Sequence, residues 1–352
     1  MHVCKKVAPE DHSVLAHQLL LKCVIAMVTE EIPGLFRAYL LNGEGEGTAL
    51  SWEQVNEWTP QAGLLWVHLD VESSEVRDWL RERSGLTRAA CSGLLAGETR
   101  PLSRPMNDGL LVILRGINHN PGADPEDMVS LRLWVDTTRV LSLSRRRVMA
   151  VSDLADEIEE GVGPLSSPEI LTTLTGHLLD RLTPTLDELG DAVDLQEEKA
   201  FTEAPSELQG DLAELRRQVI ALRRHLAPQR EVMVQLVQCT HTRFDDKHSA
   251  VVQLLADELS RHVEDLDELR ERSAVTHDLI AGRQSDLMNR QMLMLSLVTA
   301  IFLPLGLITG LLGINVKGVP GAENEWGFFW VCAILALLAG LLLAFMRKKK
   351  WF

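Results

Sequence analysis

The chain is predicted to fold as an α/β domain followed by a stalk of long helices and a two-helix C-terminal transmembrane hairpin. Three observations predict this. Short β-favouring runs alternate with amphipathic stretches in the first half. From 167 to 312 glycine and proline are sparse and apolar residues recur at helical spacing. Two runs, 292–312 and 326–346, contain no charged residue at all, and each reaches the roughly 20 residues that carry a helix across a bilayer.

The first element to weigh is "HSVLAHQLLLKCVIAMV". His17 and Lys22 interrupt it and no small-residue cleavage site follows, so it is not read as a signal peptide. Met27 is an alternative start, which would make residues 1–26 an N-terminal extension. Residues 27–165 form the α/β domain. "LFRAYLL", "LLWVHLDV", "GLLVILRGI", "SLRLWVD" and "RVLSLS" read as strands, bounded by turn segments such as "NGEGEG" and "HNPGADP". Residues 73–83 and 86–96 read as capped amphipathic helices between them.

Residues 166–291 form the helical stalk region. Three helices are expected, over 167–200, over 206–239, and from Asp246 unbroken into the first apolar run. Leu255, Leu259, His262, Leu266, Leu269, Ser273, Thr276 and Ile280 advance by alternating steps of four and three, the mark of a coiled-coil seam. The seam grows polar toward the membrane. Polar seams hold helices together poorly, so this one could instead line a wet channel.

The hairpin comprises a first span (292–312), a turn (313–325), a second span (326–346) and a basic tail (347–352). Arg347, Lys348, Lys349 and Lys350 follow the second span, Arg283 and Arg290 precede the first, and the turn offers one Lys against Glu323 and Glu325. The positive-inside rule then puts both termini in the cytoplasm and the turn outside. The tail residues are read as anchors to anionic headgroups. On the first span Asn289, Met292, Ser296, Thr299, Leu303, Gly306, Gly310 and Gly313 share one polar or small stripe. Two readings of it remain open. Small residues let helices pack closely, and the same stripe suits the lining of a pore. One hairpin encloses no conduit, so a pore requires several copies.

The formal net charge is −15, from Lys+Arg 35 and Asp+Glu 50. An acidic body argues against a nucleic-acid partner and attracts cations. Five scattered cysteines with no CxxC fit a reducing cytoplasm. No phosphate loop, nucleophile elbow or HExxH occurs, so no enzyme is expected and no prosthetic group. Metal-ligand candidates in the body are His241 and Asp245 in "HTRFDDKH", and His262 in the seam. Acidic stretches such as "DLADEIEE" and "HVEDLDELRER" are candidate sites for regulatory divalent cations. The span stripe lacks His, Cys, Asp and Glu, so a largely hydrated ion would pass it, and an intramembrane proton carrier is missing.

"GIN" at 313–315, ending a span that continues a long helix, resembles the G-M-N signature of the CorA superfamily of divalent-cation transporters. With "FLPLGLITGLLGINVKGVPG", "GETRPLSRP", "LAPQREV", "IEEGVGP" and "RKKKWF", the chain is similar to the ZntB zinc-transporter branch over residues 30–352. Ile314 stands where the magnesium branch has Met. The resemblance implies a CorA-like funnel-shaped homopentamer in the bacterial inner membrane, with first spans around the pore and second spans outside. Gly313, Ile314 and Asn315 would form the outer mouth. Neutral oxygens there would replace or bridge hydration waters, and Glu323 and Glu325 would concentrate cations. Asn289 and Thr299 would form polar rings, with Met292 or Leu303 as constrictions. The implied function is zinc uptake, with proton coupling suggested by the branch. The alternatives are a magnesium, cobalt or nickel channel on the same scaffold, and a membrane-anchored scaffold or signalling protein.

Overall fold

The computed structural model describes residues 34–97, 99–240, 244–313 and 326–348. These residues divide into two compact units. One holds the α/β domain through Glu198 together with Gly210–Ala274; the other holds Lys199–Gln209 and the chain from Val275 onward.

Seven strands make one mixed sheet: β1 (Leu35–Leu41), β2 (Gly47–Ala49), β3 (Leu64–Asp70), β4 (Leu102–Met106), β5 (Gly109–Gly116), β6 (Val129–Val135) and β7 (Arg139–Ser144). Their order is β2-β1-β3-β7-β6-β5-β4. β3 and β7 pair in parallel and every other neighbour is antiparallel. The near-continuous apolar runs of β3 and β5 follow from burial on both faces. Leu65, Val67 and Leu69 face a core with Leu111, Trp134 and Leu141. Trp66, Leu110, Val112 and Leu114 face the opposite core with Leu131 and Leu133.

Helices α1 (Trp52–Glu57), α2 (Ser74–Glu82) and α3 (Arg88–Leu94) cover the first face through Val55, Val76, Leu80, Ala90 and Leu94. Each begins at a hydroxyl: the side chains of Ser51, Ser73 and Thr87 accept backbone N–H groups of the first turn. The opposite face is covered by α4 (Met149–Glu159), α5 (Ser167–Asp180), α6 (Thr183–Thr202), α7 (Pro205–Thr240) and the first part of α8 (Asp246–Leu312). α9 (Gly327–Lys348) ends the described chain.

The five expected strands and the helices at 73–83 and 86–96 are present. β4 went unread because "RPLSRP" has prolines on both sides, yet it is the outermost strand, where a missing N–H costs no ladder bond. β2, α1 and α4 also went unread. The single helix expected over 167–200 is two helices. Pro184 sits in the first turn of α6, where its absent N–H is harmless, and Arg181 and Leu182 close α5 with bonds to His177 and Leu179.

One segment that carried the family resemblance meets a predicted turn here. Gly163 N–H donates to Gly45 C=O at 2.8 Å, tying "IEEGVGP" to the "NGEGEG" turn. Gly45 has φ +100°, and a Cβ there would lie 2.7 Å from the Gly161 carbonyl oxygen, so only glycine fits.

Candidate ion path

α8 is one helix of 67 residues, from the soluble core into the first apolar run. It and α9 are long and apolar enough to cross a membrane. Asn289, Met292, Ser296, Thr299, Leu303, Gly306 and Gly310 all lie exposed along α8, and Gly313 closes it with its N–H donating to Thr309 C=O at 3.0 Å. Met292 is 63% and Leu303 72% exposed. An apolar helix this bare cannot remain in water, so lipid or other copies must cover it.

Two hydroxyls of the first span, Thr299 on the stripe and Thr309 beside it, bond to their own helix. Thr299 Oγ1 donates to Leu295 C=O at 2.9 Å, and Thr309 Oγ1 reaches Leu305 C=O at 3.0 Å. A hydroxyl that spends its proton on its own helix keeps its oxygen lone pairs for another donor or a cation. Pro304 adds a second acceptor. Having no N–H, it leaves the Ala300 carbonyl without its helical donor. Neutral oxygens spaced along an otherwise apolar helix can exchange with the hydration waters of a passing ion without trapping it.

Ile314, Asn315, Glu323, Glu325, Lys349 and Lys350 lie outside the described residues. Arg347 and Lys348 occupy the last turn of α9, where cations also complement the helix dipole.

The seam at 255–280 is corrected by the structure. Leu259, Leu266 and Leu269 belong to the main core, and Ser273, Thr276 and Ile280 are buried at 0%, 3% and 1% exposure. Ser273 Oγ donates to Arg270 C=O at 3.0 Å. The seam is closed inside a single chain, so it lines no wet channel. The reason is intrachain pairing that spacing does not reveal. Arg223 of α7 grips Asp267 with two bonds, and Arg272 grips Asp194 and Glu197 of α6.

His262 is buried with Nε2 3.3 Å from Thr183 Oγ1. Burial holds its pKa below the ordinary value, although Glu258, Asp265 and Asp187 pull the other way. Asp245 instead caps α8, accepting the His248 N–H at 2.9 Å and bonding its ring. Asp245 and His262 stand 17 positions apart, about 25 Å along the helix, so they cannot share an ion. His241 is outside the described residues. Among the described residues no group of three or more His, Cys, Asp and Glu could hold a metal.

One set of contacts went unread. Arg283 Nη1 donates to the Ala200 carbonyl, and Gln209 Nε2 to Gln284 Oε1 at 2.5 Å. They tie the α6–α7 tip to α8 a few residues before the span begins. The sequence shows only the charge of Arg283, and no local pattern points to a partner 83 residues away.

Known proteins give this architecture a family. The chain is 38% identical over 322 residues to the divalent cation transporter CmaX of Pseudomonas aeruginosa, covering 90% of this chain and 97% of that protein. It is 32% identical over 315 residues to the zinc transport protein ZntB of Yersinia pseudotuberculosis, covering 89% and 95%. The solved full-length CmaX structure superposes with a TM-score of 0.79 over 90% of this chain and 98% of that one. The CorA magnesium transporter of Methanocaldococcus jannaschii shares the fold with a TM-score of 0.76 at 18% identity, over 90% and 98% of the two chains. Residues 61–348 match the family described as CorA-like Mg2+ transporter protein, and the chain belongs to that family of divalent-cation transporters.

Proposed function

We propose that this protein carries zinc across the bacterial inner membrane, inward, through a pore at the centre of a homopentamer. The observation that carries the reading is the exposed stripe of α8, polar or small at Asn289, Ser296, Thr299, Gly306 and Gly310, in a span whose other faces are mostly Leu, Ile, Val, Met and Phe. A single α8 encloses nothing, so the stripe needs symmetric copies to become a path. Both termini are cytoplasmic, with Gly313, Ile314 and Asn315 at the outer mouth. Glu323 and Glu325 raise the local cation concentration there, and Arg347, Lys348, Lys349 and Lys350 anchor the second span to headgroups. With no ionisable residue on the stripe, the ion keeps most of its water. Any proton coupling therefore runs through the turn or the soluble domain. Similarity to a zinc transporter and a divalent-cation transporter supports the cargo class. Magnesium, cobalt or nickel on the same scaffold is the second reading, because the greater identity is to the protein of broader description.

The test is zinc-65 influx into proteoliposomes holding the protein or its Asn315→Ala variant, with and without an imposed pH gradient. Influx that disappears in the variant supports conduction at the 313–315 turn. Dependence on the gradient supports coupling. No zinc influx from correctly assembled protein overturns the zinc reading, and magnesium influx then separates the second reading from a tethered scaffold.

A further inference from the structure

Two faces of the helical region carry opposite charge. On α7, Ala213, Arg216, Arg217, Ile220, Ala221 and Arg224 line an open depression of about 490 Å³. Steps of four put Arg216, Ile220 and Arg224 on one stripe. Ile220 is 49% exposed. Among the described residues Arg216 and Arg224 make no ion pair, while Arg217 is held by Glu214 and Glu126. On α6, Asp187, Glu188, Asp191 and Leu195 are exposed along one face. Leu195 is also 49% exposed, and none of the three carboxylates makes an ion pair among the described residues.

The two stripes stand on separate flanks of α8. Asp267 holds α7 through Arg223, and Arg272 holds α6 through Asp194 and Glu197. Positions 267 and 272 are five residues apart, about 140° around a helix. The stripes also match in height. α7 runs antiparallel to α8 across the short 241–245 connection, so Ile220 is level with about residue 270 of α8. Leu195 lies between the two partners of Arg272. The exposed apolar side chains therefore sit within about 3 Å of one another along the helix direction, at 1.5 Å per residue. From that centre Arg224 and Asp191 continue in the same direction.

We propose that the arginine face of α7 receives the carboxylate face of α6 from a second copy of this chain. Ile220 meets Leu195, and Arg224 meets Asp191 and Glu188. The proposal rests on the oligomer reading above and assigns its contact surface outside the membrane. Each copy presents one face of each kind, so the contact is head-to-tail and a rotation closes it into a ring. A second copy fits better than another anionic partner because this chain carries the matching stripe in charge, height and apolar centre. Its excess of Asp+Glu 50 over Lys+Arg 35 also repels nucleic acid. Opposite charges across such a contact set register and partner choice more than raw affinity.

The experiment uses full-length protein in detergent, its five cysteines exchanged for alanine, with Leu195→Cys and Ile220→Cys introduced together. Oxidation is expected to give a ladder of covalent multimers that reducing agent collapses. Adding Arg224→Glu should lower the cross-linked fraction roughly tenfold, a change of about 1.4 kcal/mol. Further addition of Asp191→Arg and Glu188→Arg should restore it, because swapped charges pair again. Native mass spectrometry of the unoxidised protein separates the two ideas. An intact oligomer with no cross-link, or with cross-linking indifferent to charge, overturns this interface and leaves the assembly standing. A monomeric parent protein overturns the assembly itself and this contact with it.

Discussion

Acidification should destabilise the α/β domain, with His68 as a main cause. It is buried in β3, with Phe36 stacked on its ring at 5.6 Å between centroids. Ser142 Oγ lies 2.9 Å from His68 Nδ1 and Ser144 Oγ 3.2 Å from Nε2. Because Ser142 Oγ donates to the Val67 carbonyl and accepts from Trp66 Nε1, its proton is already committed. His68 must then donate through Nδ1 and accept at Nε2, the neutral ring. Burial pushes its pKa down to about 3, and the nearby Arg37 charge adds to this. The unfolded chain takes up a proton below about pH 6.5 while the folded chain refuses one until about pH 3. The unfolded state thus binds more protons across that window, and stability falls as pH falls through it. Between pH 7.5 and 5.0 the loss from this residue is about 2 kcal/mol. His68→Gln cannot charge. It should lower stability at neutral pH by about 1–3 kcal/mol for its lost hydrogen bonds, and then lack this acid limb. The assay is urea unfolding of the purified full-length protein in detergent, followed by tryptophan fluorescence at several pH values. Parallel curves for the two proteins from pH 7.5 to 5.0 would refute a neutral buried His68.

Gln229→Ala should cost about 2–4 kcal/mol of domain stability in the same assay, because two main-chain groups lose their partner in the interior. Gln229 accepts the Arg115 N–H at 2.6 Å and donates to the Arg115 carbonyl at 3.1 Å while itself 1% exposed. Asp267→Ala, by contrast, should cost no more than about 1 kcal/mol and lose even that in high salt, since the Arg223 pair is about one-third exposed. Thr299→Val keeps the size of a side chain that already bonds its own helix, so α8 should stay intact by circular dichroism. Divalent-cation influx into liposomes should nevertheless fall severalfold if its oxygen lines the path, and unchanged influx would remove Thr299 from it.

What the sequence determined by itself was whatever depends on local composition. A run such as 292–312 identifies itself, because a helix without a charge is stable where water is absent and costly where it is present. Alternation in "RVLSLS" and "SLRLWVD" named strands for the same reason, as did the unbroken helical spacing from Asp246 to Leu312. The stripe of Asn289 to Gly313 was equally legible, since one helix places its own residues on one face. Tertiary structure decided what depends on partners far along the chain. Ser273, Thr276 and Ile280 read as a wet seam until α6 and α7 closed over α8. There Leu189, Val193, Val219, Leu222 and Leu226 bury Leu259, Leu266 and Leu269, with the Arg223 pair to Asp267 and the Arg272 pairs to Asp194 and Glu197 at the rim. Asp245 looked like a ligand until it capped α8. β4 became a strand despite its prolines because it fell at the sheet edge. In each case periodicity shows which side of a helix or strand is distinctive, and only packing fixes whether that side meets core, water, lipid or another chain.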